Sequence, residues 1–167
     1  LIQENKDSAV VESTLPKIAV IMSTYNGEKY IRTQLDSILN QKGVDLSLFV
    51  FDDVSKDSTV EIVREYESKY PNIKLTINER NKNYTYNFLD ALFSFKDNDE
   101  YEYYAFSDQD DYWVEDKLIT AINAIKAKGA CTLYSSNLKV VDENLNYLGR
   151  NCKPDNYSFA KHDPLTA

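Results

Sequence analysis

Three carboxylates fall within four residues, Asp108, Asp110 and Asp111, in the stretch Ser107-Asp108-Gln109-Asp110-Asp111-Tyr112-Trp113. Acids this close repel one another unless something positive joins them, and a hard divalent cation with oxygen ligands is the natural candidate. The plainer use of Asp110 or Asp111 is as a helix N-cap, accepting an orphan backbone N–H. One cap needs one acid, not three. Two other polar clusters raise the same question. Asp52-Asp53-Val54-Ser55-Lys56-Asp57-Ser58 offers a carboxylate able to accept an imide N–H, such as N3 of uracil or thymine, with solvated turn acids as the alternative. Thr24-Tyr25-Asn26-Gly27-Glu28 offers a ring to stack on a base and a glutamate that a first helical turn favours in any case.

These clusters need elements to position them. Lys17-Ile18-Ala19-Val20-Ile21-Met22-Ser23 is a nearly continuous apolar run of strand length, as expected for a strand covered on both faces. A helix follows, with Ile31, Leu35, Ile38 and Leu39 on one stripe and Gly43 beyond its end. Leu46 to Phe51 reads as a second buried strand. Ser58-Thr59-Val60-Glu61 fits a capping box opening a helix that Pro71 ends. Ile73 to Ile77 alternates as a third strand, and Phe88, Leu89, Leu92, Phe93 and Phe95 mark a third helix. The aromatic run Tyr101 to Phe106 reads as a buried fourth strand, followed by helical spacing at Val114, Leu118, Ala121, Ile122 and Ile125. Cys131 to Ser135 reads as another strand, and Leu138 to Leu148 as a hairpin around Asp142-Glu143-Asn144. Alternating strands and helices predict βαβ units with right-handed crossovers and a mostly parallel sheet. The loops after strands one, two and four then gather at one sheet edge, making one site from three segments.

The 167 residues suffice for one domain with a sizeable core. A net charge of −8 without a basic patch excludes nucleic acid as a partner, although a metal can still bring a nucleotide diphosphate to an acidic protein. Cys131 and Cys152 show no metal or disulfide spacing, which fits free thiols in a reducing cytosol. His162, the single histidine, carries no catalytic pattern. No apolar run approaches the roughly 18 to 20 residues of a membrane span, and residues 1–16 read as a linker or disordered terminus, not a signal peptide. The absent initiating Met suggests a piece of a longer protein.

Together, Val20 to Ile31, Asp52 to Thr59 and Ser107 to Trp113 resemble the opening strand and nucleotide loop, the second acidic loop and the metal motif of family 2 inverting glycosyltransferases, in the form common among bacterial rhamnosyltransferase-like members. The resemblance covers roughly residues 17–150. It implies an α/β fold, a three-layer α/β/α sandwich with a mostly parallel, Rossmann-like nucleotide-diphospho-sugar transferase sheet, and residues 151–167 beginning a truncated acceptor-side region. It further implies that Thr24, Tyr25, Asn26 and Glu28 line the nucleoside pocket, that Asp53 contacts the base, and that Asp108 lies near the ribose and sugar. Asn87 would touch the nucleotide. Asp110 would bind Mg²⁺ or Mn²⁺ at the diphosphate, leaving Asp111 to the helix cap. A UDP- or dTDP-sugar would be the donor and a glycan or lipid-linked molecule the acceptor. The setting would be cytoplasmic, with membrane association through missing parts of the protein.

The sequence departs from the family pattern at Val54 and at Asn81 to Asn83, where glycine is usual; a left-handed backbone would strain Val54, whereas Asn tolerates it. The family's general base lies beyond the metal motif, and Asp142, Asp155 and Asp163 sit in no matching motif. The expectation is a donor-binding half, with a non-catalytic nucleotide-sugar-binding scaffold as the alternative. A receiver domain would need a lone Asp after strand three, where Asn78-Glu79 stands, and a nucleotidylyltransferase a glycine-rich basic loop after strand one.

Overall fold

The computed structural model describes residues 15–129 and 132–151, so the readings for residues 1–14, Cys131, Cys152, Asp155, His162 and Asp163 lie outside the described residues. The chain divides into two compact units, Leu1–Ile122 and Asn123–Ala167.

In the first unit, β1 (Lys17–Thr24), β2 (Asp45–Asp52), β3 (Ile73–Ile77) and β4 (Tyr103–Ser107) form a wholly parallel sheet in the order β3-β2-β1-β4. Helices α1 (Ile31–Leu39), α2 (Thr59–Lys69) and α3 (Asn83–Phe93) connect them, and α4 (Lys117–Lys128) follows β4. The expected α/β fold is present. Right-handed crossovers from β1 to β2 to β3 put α1 and α2 on one face, and the return over the sheet to β4 puts α3 on the other.

Strand parity divides the core accordingly. Ile18, Val20 and Met22 of β1 and Leu46, Leu48 and Val50 of β2 pack with Ile31, Leu35 and Ile38 of α1 and Val63 of α2. The opposite face is aromatic: Phe49 meets Phe95 edge-on at 4.8 Å, and Phe88 meets Phe106 at 5.4 Å. This second face is thinner than the sequence suggests. The residues α3 buries are Asn87 and Ala91, while Leu89 and Phe93, two of the residues that mark the expected third helix, stay exposed. Strand β4 is likewise half-buried rather than enclosed, because among the described residues it pairs only with β1 and leaves Tyr104 and Phe106 partly open.

In the second unit, β5 (Lys139–Val141) and β6 (Tyr147–Asn151) form the expected antiparallel hairpin. Residues 132–138 form no strand, which corrects the reading of Cys131 to Ser135 for its described part; Leu133 is 90% exposed, so no packing rewards extension there. Among the described residues no helix is long and apolar enough to cross a membrane.

Candidate functional site at the carboxyl edge of the sheet

Strand order places β1 and β4 side by side, at the point where the order of strands along the chain reverses. A crevice between such strands, outside their carboxyl ends, is the favoured ligand position of an open α/β sheet. Two concavities of about 530 and 360 Å³ instead lie at the amino ends of the strands, around Lys17 and Asp45 and around Ser47 and Lys74. Neither collects the clustered acids, so the carboxyl edge is the stronger candidate.

The first two loops are laced together. Asn26, left-handed at φ 50°, donates its N–H to Ser55 Oγ at 2.9 Å and accepts the Lys56 N–H through Oδ1 at 2.8 Å. Gly27 N–H donates to Thr59 Oγ1 at 2.7 Å. Glu28 N–H donates to Asp57 Oδ2 at 3.1 Å, while Glu28 Oε2 accepts the Ser58 N–H at 2.9 Å. The capping box expected of Ser58 and Glu61 is therefore not formed: the Ser58 side chain makes no capping bond, and Asp57 Oδ1 accepts the Thr59 N–H at 3.0 Å. Slight burial pulls Asp57 upward, but the Thr59 hydroxyl, followed by the N–H groups of Glu28 and Thr59, holds it below the usual carboxylate range.

Beneath these loops lie two buried aspartates. Asp52 accepts from Thr24 Oγ1 at 2.9 Å and from the Ser55 N–H at 2.9 Å. Asp53, 2% exposed, accepts from Asn78 Nδ2 at 2.9 Å, from the Lys82 N–H through both oxygens, and from the Asn83 N–H at 2.9 Å. The Asp53 carboxylate thus folds back the loop that opens α3. Asn87 supports it: Nδ2 donates to Ser23 Oγ and to the Phe51 carbonyl, each at 2.8 Å, and Oδ1 accepts from Asn78 at 2.9 Å. Both Asn87 N–H groups are thereby engaged inside the protein. Val54 and Asn83, at the two departures from the family pattern, both adopt the left-handed backbone, with φ of 67° and 70°.

The third loop rests on α1. Gln34, fully buried, meets the Ser107 hydroxyl at 2.8 Å; with its amide turned to face the Asp111 carbonyl it also accepts the Trp113 indole N–H at 3.3 Å. Ser37 Oγ accepts the Trp113 N–H at 3.1 Å. Asp110 and Asp111 do not cap the following helix, which begins only at Lys117; Gln41 Oε1 accepts the Leu118 N–H at 3.0 Å in their place. Burial, then the Asp110 charge, pushes the Asp108 carboxyl up. Burial and its two acidic neighbours push Asp111 up as well, against the partial relief of Lys117. Gln109, which spacing did not single out, bridges to the first loop: the Tyr25 N–H donates to its Oε1 at 2.9 Å and its Nε2 donates to the Tyr25 carbonyl at 3.1 Å. The structure thus gathers Tyr25, Asn26, Glu28, Asp108 and Asp110 in loops at one sheet edge, with Thr24, Asp53 and Asn87 as buried supports below them.

Three polar loops thus gather at the carboxyl edge of a parallel α/β sheet, where the order of strands reverses between β1 and β4. The model of glycosyl transferase family 2 matches residues 19–163, and the chain belongs to that family. It is 43% identical over 119 residues to a dTDP-rhamnosyl transferase, RfbG, of Shigella flexneri, a match covering 70% of this chain and 40% of that protein. A crystal structure of S. aureus TarS 1–349 in complex with UDP superposes with a TM-score of 0.57 and 34% identity, covering 66% of this chain and 32% of that one. A mannosyltransferase of Pyrobaculum calidifontis shares the fold at a TM-score of 0.58 and 24% identity, covering 77% and 36%. The chain therefore spans less than half the length of each of these proteins.

Proposed function

We propose that this domain is the donor-binding part of an enzyme that moves a sugar, with inversion, from a pyrimidine nucleotide diphosphate to a glycan or lipid-linked acceptor in polysaccharide synthesis. The observation that carries this reading is the crowding of Asp108, Asp110 and Asp111 at the switch point, where burial and mutual repulsion raise two of the three carboxyls. Among the described residues no three His, Cys, Asp or Glu side chains converge into a ready cation cage. An all-oxygen site that supplies one or two carboxylates and leaves the other positions to phosphates and water fits Mg²⁺ or Mn²⁺. Asp110 would hold the ion and Asp108 would lie toward the ribose and sugar. When bound, the ion would supply Lewis-acid neutralisation of a diphosphate leaving group.

The chain's own residues do the positioning. Tyr25, 48% exposed, offers its ring as a stacking surface for a base, and Asn26 and Glu28 hold that loop against the second. Asp53 would take the imide N–H in place of the Lys82 N–H that its two oxygens share. Thr24 and Asn87 fix the floor. Asp142 is taken up by its hairpin turn, accepting the N–H groups of Asn144 and Asn146 at 2.9 Å each, so the general base is not assigned to it. A cytoplasmic setting at the inner membrane face belongs to the same reading.

Calorimetry with UDP-, dTDP- and GDP-sugars, with and without Mn²⁺, tests it. A pyrimidine nucleotide should bind only with the metal, and Asp110→Ala should abolish binding. Metal-independent binding, or an unaffected Asp110→Ala variant, would overturn the metal assignment.

A further inference from the structure

The regular pairing of β1 with β4 ends at Met22 and Ser107, before either functional loop begins. Beyond that point one side chain spans the crevice. The Gln109 amide both accepts from and donates to the backbone of Tyr25, at 2.9 and 3.1 Å, repeating with a side chain the paired bonds of a sheet rung. Gly27 makes room for it: a Cβ at that position would meet Gln109 Oε1 at 2.3 Å and Cδ at 2.5 Å.

We propose, building on the nucleotide-and-metal reading above, that Gln109 is a positioning residue. It fixes Asp108 and Asp110, its neighbours on either side, relative to the Tyr25 loop. The base-holding and metal-holding ends of a nucleotide diphosphate are thereby kept in register. The chemistry selects this side chain. Asparagine is shorter by one methylene, and glutamate would set a second acceptor against the Tyr25 carbonyl where an N–H is needed. The third loop is otherwise held near its two ends, at Ser107 by Gln34 and at Trp113 by Ser37, so losing the bridge frees the stretch between them without unfolding the core.

The test measures how much Mn²⁺ tightens the binding of UDP and of dTDP to the full chain, by calorimetry, beside the thermal midpoint of each variant. Gln109→Ala should lose about tenfold of the metal-dependent tightening. Gly27→Ala, whose methyl group displaces the amide while leaving Gln109 in the sequence, should lose a similar factor. The double variant should lose no more than either single one, because both break the same contact. A merely structural role would lower the midpoint and weaken binding equally with and without metal, and that result would overturn the proposal. Full tightening in Gln109→Ala, additive losses in the double variant, or tighter nucleotide binding on removal of the amide would overturn it too. If the unaltered chain binds neither nucleotide with Mn²⁺, the donor-binding reading itself fails and takes this proposal with it.

Discussion

Glu28 Oε2 accepts the Ser58 N–H at 2.9 Å, so a carboxylate of the first loop closes the helix end that Glu61 would have served from within α2. Glu28→Ala should therefore cost about 1 kcal/mol of stability, the ordinary worth of a cap, whereas Glu61→Ala should cost only a few tenths. Urea-denaturation midpoints of the two variants decide the ranking. Equal effects would return the cap to Glu61.

Val54 holds φ at 67°, a conformation that costs a residue with a Cβ roughly 1–2 kcal/mol and a β-branched one no less. Glycine removes that strain but gives back roughly 0.5–1 kcal/mol as chain entropy in the unfolded state. Val54→Gly should thus stabilise the domain by about 0.5–1 kcal/mol. Thermal unfolding followed by circular dichroism would show a raised midpoint, and a lowered one would refute the strain.

The Asp53 carboxylate organises residues 78–83 through the Asn78 side chain and two backbone N–H groups. Asp53→Asn turns an NH₂ group toward donors that need an acceptor. The expected loss is about 2–4 kcal/mol, since a buried bond to a charged group is replaced by an unsatisfied contact. Hydrogen exchange should speed up first at Lys82 and Asn83. Unchanged exchange there would refute this structural role, and a nucleotide-binding defect beside it would leave Asp53 only the base contact proposed above.

Asp111 sits above the usual carboxylate range, chiefly through burial and then through Asp108 and Asp110. A carboxyl raised on folding contributes stability below its unfolded pKa and loses it as pH rises through the folded value. Asp111→Asn should therefore gain on the unaltered chain as pH rises from acid through the carboxylate range to neutrality, and keep that advantage there. Denaturant titrations in metal-free buffer across that range provide the check, and an advantage that shrinks with rising pH would contradict the raised carboxyl.

The framework of this fold was legible because its signals are local and repeated. The apolar run Lys17 to Ser23, the stripe of Ile31, Leu35 and Ile38, and the alternation of such segments forecast a parallel sheet with its loops at one edge, which is what forms. The third helix was legible too, but not how deeply its face is buried. Helical spacing marks Leu89 and Phe93 as apolar but says nothing of how much sheet lies beneath them.

The sequence by itself determined the element order from Lys17 to Lys128, the parallel pairing and the three loops that carry Asp53, Asp108 and Asp110. Only the tertiary structure decided which acceptor serves which donor. Helix α2 takes Glu28 in place of Glu61, α4 takes Gln41 in place of Asp110 or Asp111, and Tyr25 takes Gln109. The reason is geometric. A helix-end or loop N–H donates to whatever acceptor lies within about 3 Å of it, and that acceptor can come from a segment far away in sequence that folding alone brings near.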